Sequence, residues 1–198
     1  SKKKEKENLT SDSNCETFLF KNKNLIDLFN KAAKCKKNGD FGLAVDIYYK
    51  ILESDPDNSI VLTSLGKLLH EVGIKSASKG DIEKTCLVKA QDLFLKSASI
   101  ERSDKNRKAE KLLDLSVFYF TLHKDDYAIK YGQMAYQLNP GSTFVCSILG
   151  DSYRRKEMFS IAKSWYEKAI ELDADNLRAI QGVGYIYIAN SEYKKAFE

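Results

Sequence analysis

Residues Thr143–Asn176 read TFVCSILGDSYRRKEMFSIAKSWYEKAIELDADN, and this stretch decides the fold. Cys146, Leu149, Gly150 and Tyr153 fall on one face of a first helix at helical spacing. Phe159, Ala162, Tyr166 and Ala169 do the same on a second helix. A short polar turn, Arg155-Lys156-Glu157-Met158, separates the two. Small residues (Gly150, Ala162, Ala169) stand where two helices must approach closely, and large ones fill the gaps beside them. The stretch therefore reads as one pair of amphipathic helices.

The rest of the chain reads as imperfect copies of it. The first copy runs over 25–58. Leu28, Ala32 and Cys35 mark its first helix, and Phe41, Ala44, Tyr48 and Ile51 its second. Gly39 is free to take positive φ in the turn, Asp40 is placed to cap the second helix, and Pro56 ends it. A second copy, 59–108, carries Leu62, Leu65, Gly66 and Leu69, then Ala90, Phe94 and Ser97. Gly66 to Ala90 is twelve residues longer than Ala32 to Ala44. The extra residues are expected within 73–88 as a longer loop plus an extension of the second helix capped by Asp81, and a further lengthened link near 103–108. A third copy, 109–142, starts near Ala109 with Leu112, Leu115, Ser116 and Tyr119, then Ala128 and Ala135. Its large aromatic position is taken by Gly132, so Tyr127 or Tyr131 is expected to fill that space. The opening stretch is the fourth copy. A fifth, 177–198, has Ile180, Val183, Gly184 and Tyr187, then Tyr193 and Ala196, and stops inside its second helix. Ending there is expected of a piece of a longer protein, since a repeat array needs a polar closing helix.

This pattern resembles the tetratricopeptide repeat (TPR), whose signature places Trp, Leu, Gly, Tyr, Ala, Phe, Ala and Pro at fixed offsets in a period of ~34 residues. Here Cys146 stands for the Trp, Tyr166 for the Phe and Ala174 for the Pro. The resemblance implies an all-α, right-handed superhelical solenoid of antiparallel helix pairs, with about four full repeats and a truncated fifth over 25–198. It also implies binding of other proteins rather than catalysis. Residues 1–24 break the pattern: SKKKEKENLTSDSN is polar and aperiodic and reads as disordered, while Phe18, Leu19 and Phe20 could cap the first repeat.

The composition agrees with a helix-rich chain: of 198 residues, 43% are hydrophobic and 30% charged, with only 2 prolines. No run of apolar residues is long enough to span a membrane. The cysteines (Cys15, Cys35, Cys86, Cys146) form no CxxC, and only His70 and His123 could join them, so neither metal nor cofactor is expected. Cys35 and Cys146 fall on expected buried faces. Unpaired thiols favour the cytoplasm. A membrane-tethered or exported parent stays open, because the chain begins with Ser rather than Met.

No catalytic constellation stands out, and the chain is expected not to be an enzyme. His70 closes a helix and His123 sits in a turn, neither beside a nucleophile. Asp125 and Asp126 open a helix, where the dipole favours negative charge. By the resemblance, first helices line a concave groove. Leu113, Val117 and Phe120 in the over-apolar stretch LLDLSVFYFTL, with Phe144, would form an apolar patch there. Lys67, His70, Arg154, Arg155 and Arg178 would surround it with positive charge. That suits a peptide or partner helix with apolar anchors and acidic neighbours. The residues of the chaperone-tail carboxylate clamp are absent at their positions. Two other readings compete: the substrate-recruiting arm of an enzyme whose catalytic domain lies beyond Glu198, and an RNA-binding repeat surface using the lysines at 31, 34, 36 and 37 with Arg154-Arg155-Lys156. At a net charge of +4, nucleic acid is not required.

Overall fold

The computed structural model describes residues 23–76 and 80–190. The expectations for the N-terminal tail, Cys15, Phe18–Phe20, Tyr193 and Ala196 lie outside these. Among the described residues there are nine α-helices and no strand: α1 (Lys23–Asn38), α2 (Phe41–Ser54), α3 (Ser59–Lys75), α4 (Asp81–Ile100), α5 (Lys105–Thr121), α6 (Asp125–Leu138), α7 (Thr143–Arg155), α8 (Phe159–Leu172) and α9 (Leu177–Ala189). They pack as successive hairpins in two compact units, divided after Ile100.

Two local devices alternate along the chain. The first helix of a hairpin opens on a side-chain cap: Asn58 accepts from the Val61 amide, Asp104 from Asn106 and Arg107, Ser142 from Val145, and Asn176 from Ala179. Each satisfies donors that the helix leaves orphaned. Inside a hairpin the turn is different. Gly39, His123 and Glu157 take positive φ (87°, 56° and 58°). The next amide reaches back five residues: Asp40 to Cys35, Lys124 to Tyr119, and Met158 to Tyr153. These are Schellman turns, closing orphan carbonyls with backbone alone. Asp40 therefore occupies the cap position of α2 without a side-chain cap bond, contrary to the expectation, because its place is fixed by the turn before it.

In the first unit, α1 to α4 enclose Ala32, Ala44, Tyr48, Ile51, Leu62, Leu65 and Phe94. Gly66 receives the Phe94 ring; a Cβ there would lie 3.2 Å from it. Among the described residues the extra length of this unit goes into both helices: the extension of the second helix is as expected, and the first helix is also longer. α3 continues to Lys75 and α4 begins at Asp81. Asp81 is the first residue of α4 rather than its cap, and places its charge in the first helical turn. Gly73 faces Leu87 and Cys86 closely, so the two extensions pack on each other.

In the second unit, α5 starts at Lys105, inside the link expected near 103–108, since Asp104 caps it and holds Arg107 at 2.9 Å. That polar first turn carries no apolar period and is silent in a pattern search. The space beside Gly132 is filled by Leu149 of the next hairpin, where a Cβ would meet it at 2.8 Å. Tyr127 and Tyr131 instead stack on Tyr119, with centroids 4.9 and 5.4 Å away. Around the opening stretch, Cys146, Ala162, Tyr166, Ala169, Ala179 and Ile186 form one buried cluster. Burial pushes the Cys146 thiol pKa up, in keeping with a thiol used as an apolar side chain. Among the described residues no helix is long and apolar enough to cross a membrane.

Candidate functional site

The site grows out of α7, which packs against both α5 and α9. Gly150 and Gly182 both lie against the Tyr166 ring; a Cβ on Gly150 would come within 2.5 Å of it, and one on Gly182 closer still. Only glycine lets α7 and α9 close on the ring from α8. Tyr166 is fully buried, yet its hydroxyl reaches the groove side and donates to Asp151 Oδ1 at 2.6 Å.

Asp151 is itself buried, 7% exposed, and both its oxygens are used. Oδ2 accepts from Arg178 Nε at 2.5 Å, and Arg154 Nη2 lies 3.7 Å from Oδ1. Arg154 Nε donates to the Tyr166 hydroxyl at 3.2 Å. A buried carboxylate needs such partners to remain charged. Burial first, and then the bond to Asp151, push the Tyr166 pKa well above its ordinary value. Burial opposes the charge on Arg154, but its bond to Tyr166 and the nearby Asp151 outweigh it and raise its pKa.

Aromatic rings flank this network. The Arg154 guanidinium lies 4.7 Å from the Tyr185 ring, and that of Arg178 lies 5.5 Å from both Phe120 and Phe144. Tyr185 and Phe144 are 51% and 45% exposed, so the rings present open faces. Asp151, Arg154, Arg178, Gln181, Gly182 and Tyr185 line a cleft of about 290 Å³.

The residues singled out by sequence divide into groups. Phe120, Phe144, Arg154 and Arg178 meet here. Leu113 and Val117 are half-buried on α5, and so is Phe120. The apolar excess of α5 is partly spent inward, on Phe118 and Tyr119, which are buried. Arg155 covers Phe120, its guanidinium 3.6 Å from the ring centroid. It donates to the Phe120 carbonyl at 2.7 Å and to Asp125 at 2.5 Å, and lies 3.2 Å from His123 Nδ1. It braces the turn between α5 and α6 and is not a free groove cation. Lys156 pairs with Asp126 beside it. Lys67 and His70 belong to the first unit. Lys67 is exposed on α3. His70 is half-buried, and burial lowers its pKa, so it stays neutral at neutral pH and adds no positive charge.

Asp151 and Tyr185 stand at positions that the repeat resemblance turns into the groove, although the expected patch of apolar and basic residues leaves them out, and Tyr166 is expected only as core. An acid at the ninth residue of α7, three before Arg154, was the available signal; Tyr166 gave none, because its ring reads as core.

The family model of the tetratricopeptide repeat matches residues 145–176. No curated protein matches the chain. Among solved structures, a crystal structure of MamA is 26% identical, covering 84% of this chain and 88% of that one at a TM-score of 0.68. YrrB, described as a TPR protein with an unusual peptide-binding site, is 20% identical over 85% of this chain and 79% of its own, at 0.61. The pilF protein of Pseudomonas aeruginosa is 17% identical over 87% and 71%, at 0.69. The latter two likenesses speak for the fold. Residues 145–176 thus match a tetratricopeptide repeat, and the chain, with helical hairpins repeating on either side of that stretch, has the all-α repeat fold of these neighbours.

Proposed function

We propose that the chain is a non-catalytic protein–protein interaction scaffold that holds a peptide or partner helix in the groove formed by α5, α7 and α9. The observation that carries this is the exposure of Phe144 and Tyr185 on either side of Arg154 and Arg178. Large exposed aromatics beside half-buried guanidinium groups are the usual anchors of a binding surface. Leu113, Val117 and Phe120 extend the apolar side of the same face. Arg155 supports it from behind. The description of YrrB as having a peptide-binding site supports the class of job, and nothing finer. The reading uses the second unit alone, without Lys67 and His70.

The test is binding of a library of fluorescent peptides carrying one or two apolar anchors, read by anisotropy. Phe144→Glu is the informative variant, because its ring is exposed and its loss leaves the core intact. Peptides that bind the parent chain are expected to bind this variant at least about 10-fold more weakly, with helix content unchanged. Unaltered affinity in the folded variant would place the binding surface elsewhere.

A further inference from the structure

We propose that the cleft between α7 and α9 is a subsite for one carboxylate side chain, an aspartate or glutamate of the bound peptide with an apolar residue beside it. The proposal rests on the groove reading above and gives it a chemical specificity.

Three observations carry it. The first is the state of the two arginines. Asp151 holds Arg178 through Nε, and Tyr166 holds Arg154 through Nε. Nη1 and Nη2 of Arg178, and Nη1 of Arg154, make no hydrogen bond among the described residues. The forks are fixed by one edge, leaving donors for an acceptor that enters the cleft. A planar fork pinned in this way loses little freedom when it binds a carboxylate.

The second is charge. Two guanidinium groups and one buried carboxylate leave a single net positive charge. That balances a carboxylate. A phosphate dianion would leave a net negative charge in a partly desolvated place. Buried Asp151 thus sets the charge of the ligand as well as the aim of the arginines.

The third is the seating on both sides. Exposed Phe144 lies on the Arg178 side and exposed Tyr185 on the Arg154 side. A peptide chain passing through has an apolar seat before and after the charge. A terminal carboxylate would leave one of these seats empty, so the source is a side chain within the peptide.

The experiment uses the full chain and four short peptides, each with a Leu and a Phe flanking a central position and both ends blocked unless stated. The centre is Glu in the first, Gln in the second and phosphoserine in the third; the fourth has a Gln centre and a free C-terminal carboxylate. Anisotropy gives each affinity, and the Nε–H resonances of Arg154 and Arg178 are followed by nitrogen-15 NMR. The Glu peptide is expected to bind about 10-fold more tightly than the Gln peptide and to shift both arginine resonances. Arg178→Gln should bring that ratio near one. Should this variant unfold, the arginine resonances of the parent chain decide the matter. Equal affinity for Glu and Gln, tighter binding of the phosphoserine or free-end peptide, or a ratio that survives Arg178→Gln would each overturn the proposal. If Phe144→Glu weakens Glu and Gln peptides alike while their ratio is already one, the groove stands and only the carboxylate subsite falls. If no peptide of any library binds, both readings fall.

Discussion

The hydroxyl of Tyr166 donates a 2.6 Å hydrogen bond to the buried carboxylate of Asp151, so the ring that packs the hairpin also anchors the polar face of the groove. The ring sits between Gly150 and Gly182 as core, while its oxygen also accepts from Arg154. Structure and site therefore share one side chain.

Removing that oxygen should separate the two roles. Tyr166→Phe keeps the ring and leaves Asp151 short of a donor, costing about 2 kcal/mol, in the range for hydrogen bonds to charged groups. Urea denaturation should show a lower midpoint with an unchanged slope. A variant as stable as the parent would mean that water replaces the hydroxyl at no cost.

The glycines beside the ring should tolerate nothing larger. Gly182→Ala forces the Tyr166 ring and α9 apart and is expected to cost roughly 1–3 kcal/mol, as overpacking generally does. Gly42 has open space around the place of its Cβ, so Gly42→Ala in the first turn of α2 serves as a control and should be neutral or mildly stabilising. Thermal melts of the pair give the comparison.

Arg155 should behave as architecture. Its bonds to Asp125 and to the Phe120 carbonyl tie α7 to the turn before α6. Arg155→Ala, Asp125→Ala and the double variant form a cycle in which a coupling of about 1–2 kcal/mol is expected. A coupling near zero would reduce the pair to a surface contact.

His70 gives the first unit a pH dependence. Its folded pKa lies below the ordinary 6.5 because burial disfavours the charged ring. Between the folded value and 6.5 the unfolded chain therefore binds more protons, so stability rises with pH across that window and falls as pH drops below 6.5. Denaturation at a series of pH values from neutral to mildly acidic should show the loss, and His70→Gln should flatten that part of the profile.

Much of the fold was legible because close packing writes a period into the sequence. Gly66, Gly150, Ala162 and Ala169 mark close approaches between helices, and the structure buries each of them. Where polar residues carry the structure, the pattern was silent. The first turn of α5 holds Lys105, Asn106 and Arg107, and only the Asp104 cap reveals it. The turns at His123 and Glu157 repeat the one at Gly39 without a glycine to announce them. Their backbone bonds to Tyr119 and Tyr153 depend on the hairpin as a whole.

The same division holds for the site. The sequence by itself determined the repeat: helix pairs, their small-residue contacts, and the presence of aromatic and basic side chains on the first helices. It could not assign a task to each arginine, because Arg154 and Arg155 are neighbours in the chain and alike in chemistry. Tertiary structure decided that. One position along α7 turns the side chain by about 100°, a consequence of 3.6 residues per turn. Arg155 thereby meets Asp125 and the ring of Phe120, while Arg154 meets Tyr166 and Tyr185 and opens onto the cleft.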